Sequence, residues 1–174
     1  MADIRQPTWT KEEELKDVVY RGSILSGYKV ARNGIVISYK QSKEGKPLTW
    51  TRRSIGVDYP TVKLQISVEA VGTAYNKDSY NYKNAAAGMT ALKVSVHSLV
   101  AHSWSIDSCP SELEEYWSKF PSKLKEILKS YFQIDHIDND RWNPDESNLR
   151  FVSSRHNNPH TKAAMQKEVI KNSS

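Results

Sequence analysis

The sequence predicts an α+β protein, with antiparallel strands in its N-terminal half, helices after them and a strand–loop–strand–helix unit near the C-terminus. Two observations place the strands. The Asn33-Gly34 dipeptide separates two short β-prone runs, and residues 62–68 alternate between apolar and polar side chains. A third observation places the helices, because apolar residues spaced three and four apart recur from residue 96 to residue 131.

Composition narrows the class of protein. The chain has 174 residues, which fits one domain or one domain with an appendage. Its net charge of +5 favours a polyanionic partner, although many basic proteins bind no nucleic acid. Cys109 is the only cysteine, so neither an internal disulfide nor a structural zinc held by CxxC pairs is expected. The N-terminus is polar and no apolar run approaches ~18 residues, so we expect a cytoplasmic protein with no membrane partner.

The N-terminal residues 1–20 are predicted to form an arm. Thr10 and Glu13 have the spacing of a capping box, which favours a short helix over Thr10 to Tyr20. A solvated acidic turn that docks loosely is the alternative. From Gly27 onward the pattern changes to strands, and Asn33-Gly34 predicts a tight hairpin with positive φ at both central positions.

Cations cluster between the predicted strands, with Trp50 interleaved among them. Cations beside an aromatic residue on an extended element can follow a DNA backbone. A lysine-rich hairpin edge that only prevents aggregation is the alternative. The predicted DNA-binding residues are Lys40, Lys43, Lys46, Arg52 and Arg53.

Residues 69–93 do not favour one structure, because a long hairpin that reaches toward DNA and a flexible insertion fit them equally. The segment from Val96 to Trp104 is predicted to be a helix, with Val96, Leu99 and Val100 on one face. His97 on this helix is expected to be a buried or hydrogen-bonded histidine rather than a metal ligand.

Two amphipathic helices are predicted next, separated by Pro121. Ser111 and Glu114 have the spacing of a capping box for the first of them. Both apolar stripes are expected to face the core. They comprise Leu113, Tyr116, Trp117 and Phe120, and then Leu124, Ile127, Leu128 and Tyr131.

The stretch from Gln133 to Asn158 carries the chemistry. Asp135 and His136 are adjacent, Asn148 follows His136 by twelve residues, and Asn157 follows Asn148 by nine. Phosphodiester hydrolysis needs a base that deprotonates water and a charge that stabilises phosphate and leaving group. A neutral histidine can be that base, and a hard cation held by a carboxylate and an amide oxygen can be that charge.

The adjacency of Asp135 and His136 sets a geometric condition. Neighbours on a regular strand point to opposite faces, so both can address one phosphate only where the backbone bends. A bend needs bracing, and the amide of Asn148 can donate and accept across the loop. We therefore expect Asn148 to support the site without touching the phosphate, and Asp138 and Asp140 to shape the loop.

These motifs resemble those of the HNH endonuclease family, within it the homing enzymes of phages and introns. The resemblance rests on DHIDND, on NLRFV, on VHSLVAHSW and, more weakly, on GYKVARNGIVISY. It implies a C-terminal ββα-metal core in which His136 is the general base and Asn148 is structural. It also implies that Asp135 and Asn157 bind Mg²⁺ or another divalent cation such as Mn²⁺. Arg155, beside the metal helix, is a candidate phosphate contact or a plain surface arginine.

The function implied is site-specific cleavage of double-stranded DNA by a monomer or homodimer of a phage or mobile element, leaving 5′-phosphate and 3′-hydroxyl ends. Its regions would be an arm over 1–20, a β-rich DNA-contacting region over 21–95 and the nuclease domain over 96–174. One alternative is a DNA-binding accessory or regulatory protein that no longer cleaves. Another is an HNH nuclease of restriction or packaging.

Overall fold

In a computed structural model, the structure describes residues 5–20, 22–54, 57–67 and 89–154. The fold is α+β, as predicted, and its strands pair antiparallel. The first sheet has the order β1-β2-β3-β4, formed by Leu15–Tyr20, Ser23–Ala31, Val36–Ser38 and Lys46–Pro47. The second has the order β5-β6-β7, formed by Thr51–Ser54, Val57–Ser67 and Met89–Ser95.

Helices and a two-stranded hairpin follow the second sheet. Strand β7 runs directly into helix α1, Val96–Ser103. A 3-10 turn over Ser111–Leu113 leads into α2, Glu114–Trp117, and then α3, Ser122–Lys129. Strands β8, Gln133–His136, and β9, Leu149–Val152, pair with each other, and a 3-10 turn over Glu146–Asn148 precedes β9. No helix among the described residues is long and apolar enough to span a membrane.

Helix α1 is the centre of the main core. Its predicted apolar face is confirmed, since Val96, Leu99 and Val100 are completely buried. The same cluster contains Val18 of β1, the alternating residues Val62, Leu64 and Ile66 of β6, and Phe151 of β9. Val68, which continues the predicted alternation, lies outside the described residues. The hairpin β8–β9 is therefore fixed to both N-terminal sheets through α1.

The predicted hairpin at Asn33-Gly34 forms between β2 and β3. Only Gly34 has a positive φ, of 87°, so the expectation of two positive angles is wrong. The amide of Gly34 donates to the Ala31 carbonyl at 3.1 Å, and Ala31 donates to the Ile35 carbonyl at 2.9 Å. Gly34 thus occupies the left-handed position that closes a type I turn.

The predicted N-terminal helix is wrong, because residues 15–20 form strand β1 along β2. Pairing with β2 and burial of Val18 outweigh the local capping signal. The predicted place of Trp50 among DNA-facing cations is also wrong, since this side chain is completely buried in the core. Its large apolar ring gains more from burial than an exposed strand position would offer.

The helices over residues 111–129 form, but they do not pack as predicted. Pro110, rather than Ser111, occupies the first cap position, and it makes no side-chain cap hydrogen bond. Trp117 is the only stripe residue that is buried, and α3 buries none of its residues. Ile127 and Tyr131 are 49% and 78% exposed. Helix α1 and the sheets already cover the main core, so that among the described residues no apolar surface is left for these stripes to pack against.

Candidate active site

Three of the predicted site residues meet at one end of the hairpin β8–β9. Asp135 and His136 end β8, and Asn148 immediately precedes β9. All three are buried, and no other Asp, Glu, Lys, Arg or His side chain among the described residues is buried. Burial of polar side chains is costly unless their partners or their function compensate, so such a cluster marks a candidate site.

Asn148 braces the turn that follows His136. Its Nδ2 donates to Asp138 Oδ1 at 2.9 Å and to the Asn143 carbonyl at 2.8 Å. Its Oδ1 accepts from the Asp138 amide at 3.0 Å, and its carbonyl accepts from the Ile137 amide at 2.9 Å. These are the hydrogen bonds that a bracing role requires.

The loop between the two strands is shaped by its own carboxylates. Asp138 also accepts from the Asp140 amide at 2.8 Å and from Asn143 Nδ2 at 2.8 Å. The hydrogen bond from Asn143, which is the largest cause, keeps the pKa of Asp138 below its usual value. Asp140 accepts from the Trp142 amide at 2.9 Å and pairs with Arg5 at 3.3 Å. Both carboxylates thus hold loop conformation.

Asp135 is held by Arg150, for which the sequence motifs predict no role. Arg150 lies directly across the hairpin from Asp135. Its Nε and Nη2 donate to Asp135 Oδ2 at 3.2 and 3.0 Å. The exposed guanidinium offsets the charge of a nearly buried carboxylate. An antiparallel alignment of the DH and NLRFV segments places Arg150 opposite Asp135, so the sequence alone could have predicted this ion pair.

His136 is fixed by aromatic packing. Its ring meets that of His97 edge-on, with centroids 5.1 Å apart, and His97 meets Tyr59 in the same way at 5.1 Å. Within the described part of the chain, the buried Nε2 of His136 has no hydrogen-bond partner. Burial is the main cause that lowers the pKa of His136, against the opposing effect of Asp135, Asp138 and Asp140. The imidazole is therefore neutral at neutral pH, the form that can accept a proton.

The bend expected between Asp135 and His136 does not form. The β8–β9 pairing is regular through His136, and the turn begins only at Ile137. Because side chains alternate along a strand, the two residues lie on opposite faces of the hairpin. His136 faces α1, whereas Asp135 lines a cleft between the hairpin and residues 107–125.

The cleft has a volume of about 920 Å³ and is the place where a cation could reach Asp135. Asp135, Asn139 and Arg150 are on its hairpin side, and Asp107 and Glu114 are on the opposite side. An ionised carboxylate is a suitable ligand for Mg²⁺. Among residues 5–20, 22–54, 57–67 and 89–154, no three histidine, cysteine or acidic side chains group as a metal site. Asn157, the other predicted ligand, and Arg155 lie outside these residues.

Of the predicted DNA-binding residues, Arg52 is the one that approaches the site. Its guanidinium carbon lies 5.4 Å from the ring centroid of Trp142, in the loop between β8 and β9. Lys40, Lys43 and Lys46 are exposed at the β3–β4 hairpin. The side chain of Arg53 lies outside the described part of the structure.

One of the solved structures is similar to this chain in fold. No family model and no curated protein matches the chain. A solved structure from a study of DNA binding and cleavage by the HNH homing endonuclease I-HmuI is 23% identical. The similarity covers 91% of this chain and 68% of that chain, with a TM-score of 0.43.

Proposed function

We propose that the protein is a metal-dependent DNA endonuclease of the HNH type that hydrolyses phosphodiester bonds. The observation that carries this proposal is the convergence of buried Asp135, His136 and Asn148 at one end of a two-stranded hairpin. A buried acid and a buried base on adjacent residues are costly to a fold that does not use them. The net charge of +5 suits a polyanionic substrate.

The proposed roles follow from what each side chain can do. His136, kept neutral by burial, accepts the proton of the attacking water. Asn148 holds the turn after His136 and so fixes the end of the strand that carries the base. Asp135 and Asn157 would hold a divalent cation, and Mg²⁺ or Mn²⁺ bound there would neutralise the phosphate and stabilise the leaving oxygen.

The two faces of β8 set where the substrate must bind. We place the phosphate over the end of the hairpin, where β8 gives way to the turn at Ile137, because the two strand faces that carry His136 and Asp135 adjoin there. One such site per chain makes one nick with 5′-phosphate and 3′-hydroxyl ends. A break in both strands needs a dimer or a second event.

The test is cleavage of supercoiled plasmid with Mg²⁺, with EDTA and with His136→Ala. We expect nicking that EDTA abolishes and that His136→Ala slows by about 10²–10⁴-fold, the usual contribution of a general base. His102→Gln is the matched control, because it replaces another histidine, half-buried on α1 against Phe151. Nicking by His136→Ala at the rate of the control would refute the assignment of the base.

One observation favours a second function, a DNA-binding accessory or regulatory protein that does not cleave. Asp135 and His136 lie on opposite faces of β8, and Asp135 is already paired with Arg150. Binding of duplex DNA that weakens steeply with salt, without nicking at any Mg²⁺ or Mn²⁺ concentration, would favour this function over cleavage.

A further inference from the structure

Two reciprocal cation–aromatic contacts join the second sheet to the loop between β8 and β9. Arg52 of β5 lies over Trp142 of the loop, with the guanidinium carbon 5.4 Å from the ring centroid. Arg141 of the loop lies over Tyr59 of β6 at 5.5 Å. Arg52 pairs with Pro60, which follows Tyr59 in the sequence. The second sheet and the loop therefore each supply one arginine and one aromatic ring at the same junction.

This contact brings Arg141 beside the candidate active site. Tyr59, on which Arg141 stacks, meets His97, and His97 meets His136, with ring centroids 5.1 Å apart at both contacts. The loop that carries Arg141 begins directly after His136 and is held by the side chains of Asp138 and Asp140. The position of Arg141 relative to His136 is therefore fixed by the fold.

Arg141 is exposed, and no carboxylate of the described residues forms an ion pair with it. The nearby acids have other partners. Asp138 accepts from Asn143 and Asn148, and Asp140 pairs with Arg5. A guanidinium whose face rests on an aromatic ring still presents its N–H edge, and that edge matches two oxygens of one phosphate.

We propose that Arg141, stacked on Tyr59, binds a backbone phosphate of the DNA strand next to His136. This inference rests on the proposed function, and it adds a substrate-binding residue that the motif does not contain. Arg52 on Trp142, at the same junction, would extend the contact along the strand. The stack limits the motion of the guanidinium before DNA binds, so less conformational entropy is lost on binding.

The experiment measures two properties of Arg141→Ala and Arg141→Lys. The first is the dissociation constant for short duplexes of mixed sequence in EDTA, over a range of salt. The second is the rate of plasmid nicking with Mg²⁺. Lys119→Ala is the matched control, because Lys119 is an exposed cation whose Nζ lies 5.4 Å from the ring of Tyr116 on the helical segment.

For Arg141→Ala we expect the dissociation constant to rise about tenfold near 0.1 M salt. The salt slope should fall by about 1, as for one lost phosphate contact. Arg141→Lys should keep the slope but recover only part of the affinity and nicking rate, because a point charge replaces a two-pronged donor. Lys119→Ala should change neither property.

The outcomes separate the inference from the proposed function. If the wild-type protein binds and nicks DNA but Arg141→Ala behaves as Lys119→Ala does, the phosphate contact is refuted and the nuclease stands. If Arg141→Lys shows the same loss of slope as Arg141→Ala, charge at this position does not contact phosphate. If the wild-type protein neither binds nor nicks DNA, both ideas fail.

Discussion

At the scale of single residues, Asn148 has the most partners in the candidate site. Its side chain makes three hydrogen bonds at 2.8–3.0 Å, and it is nearly buried. Asn148→Ala leaves the Asp138 amide and the Asn143 carbonyl without this partner. We expect the free energy of unfolding to fall by about 1–3 kcal/mol. Urea denaturation measures the change. Ser147→Ala, at an exposed neighbour, is the control, and an equal loss in both variants would contradict the bracing role.

His102 of α1 is half-buried against Phe151. Burial first, and then the charge of Lys129, lower the pKa of His102. As the pH falls below the unfolded value of about 6.5, the unfolded chain takes up the proton before the folded one. The contribution of neutral His102 to stability is thus complete above that pH and is lost as the pH falls toward the lowered pKa.

We therefore expect His102→Gln to lose less stability than the wild-type protein when the pH is lowered through the interval between the unfolded pKa of about 6.5 and the lowered pKa of folded His102. Urea denaturation on either side of the interval measures it. The pKa values of Asp107 and Asp138 are lowered from that of an ordinary carboxyl, and both residues are present in wild type and variant, so their titration cancels in the comparison. An identical pH dependence in wild type and variant would show that His102 takes up its proton equally in both states.

At the scale of elements, Gly34 is the point where the β2–β3 turn packs closely against the loop that leads to β9 and against α1. A Cβ added at Gly34 would lie 2.6 Å from Pro144 Cγ and 2.7 Å from Val96 Cγ1, and its φ is 87°. Gly22 has a similar φ of 77° but nothing within 4 Å of an added Cβ. The two glycines share the backbone conformation and differ in the space around them.

Gly22→Ala is expected to cost only the backbone strain, about 1–2 kcal/mol. Gly34→Ala adds a steric clash at the junction of three elements, which costs about a further 1–3 kcal/mol. Thermal and urea denaturation of both variants measures the difference. Equal destabilisation by the two substitutions would show that the β2–β3 turn does not press on Pro144 and Val96.

The elements also show what the sequence can predict. Strand β6 and helix α1 follow from local periodicity, because each buries one regular face. Strands β8 and β9 each bury two adjacent residues instead, Asp135 with His136 and Phe151 with Val152. Strand β1 could not be predicted, since its structure depends on pairing with β2 rather than on its own residues. The apolar stripes of α2 and α3 are real in sequence, but periodicity cannot say whether a surface exists to cover them.

In the candidate site, too, the sequence predicts the local contacts but not the contacts between distant segments. The spacing of Asp135, His136 and Asn148 is enough to predict that they lie together, since they belong to one local hairpin. The contacts of His136 with His97 and, through it, Tyr59 join three elements that are far apart in sequence. The cross-hairpin partner of Asp135, Arg150, was within reach of a register argument. The sequence does not single out Arg141, because the position of its guanidinium depends on the contact with Tyr59, which is distant in sequence.

At the scale of the whole molecule, α1 ties the hairpin to both sheets. The Val19 amide of β1 donates to Ser103 Oγ at 2.9 Å, and Arg32 pairs with Glu14 and with Glu146. The Glu146 amide also donates to the Arg32 carbonyl at 2.9 Å. The Arg32–Glu146 contacts cross the predicted boundary between regions 21–95 and 96–174. The Val19–Ser103 and Arg32–Glu14 contacts join the predicted arm over 1–20 to the other two regions, so the division into regions remains a prediction.

A fragment of residues 96–174 tests directly whether the chain divides at residue 96. In a fragment of residues 96–174, α1 loses Val18, Val62 and the other buried residues of the sheets against which it packs. Loss of a core partner on this scale exceeds the ~5–15 kcal/mol by which whole domains are stable, so we expect the fragment to be unfolded. Circular dichroism and proton NMR dispersion measure this, with the full chain as the control. The full chain should unfold in one transition. A fragment that folds alone, with native-like dispersion, would establish residues 96–174 as an autonomous domain and would refute a core shared with the sheets.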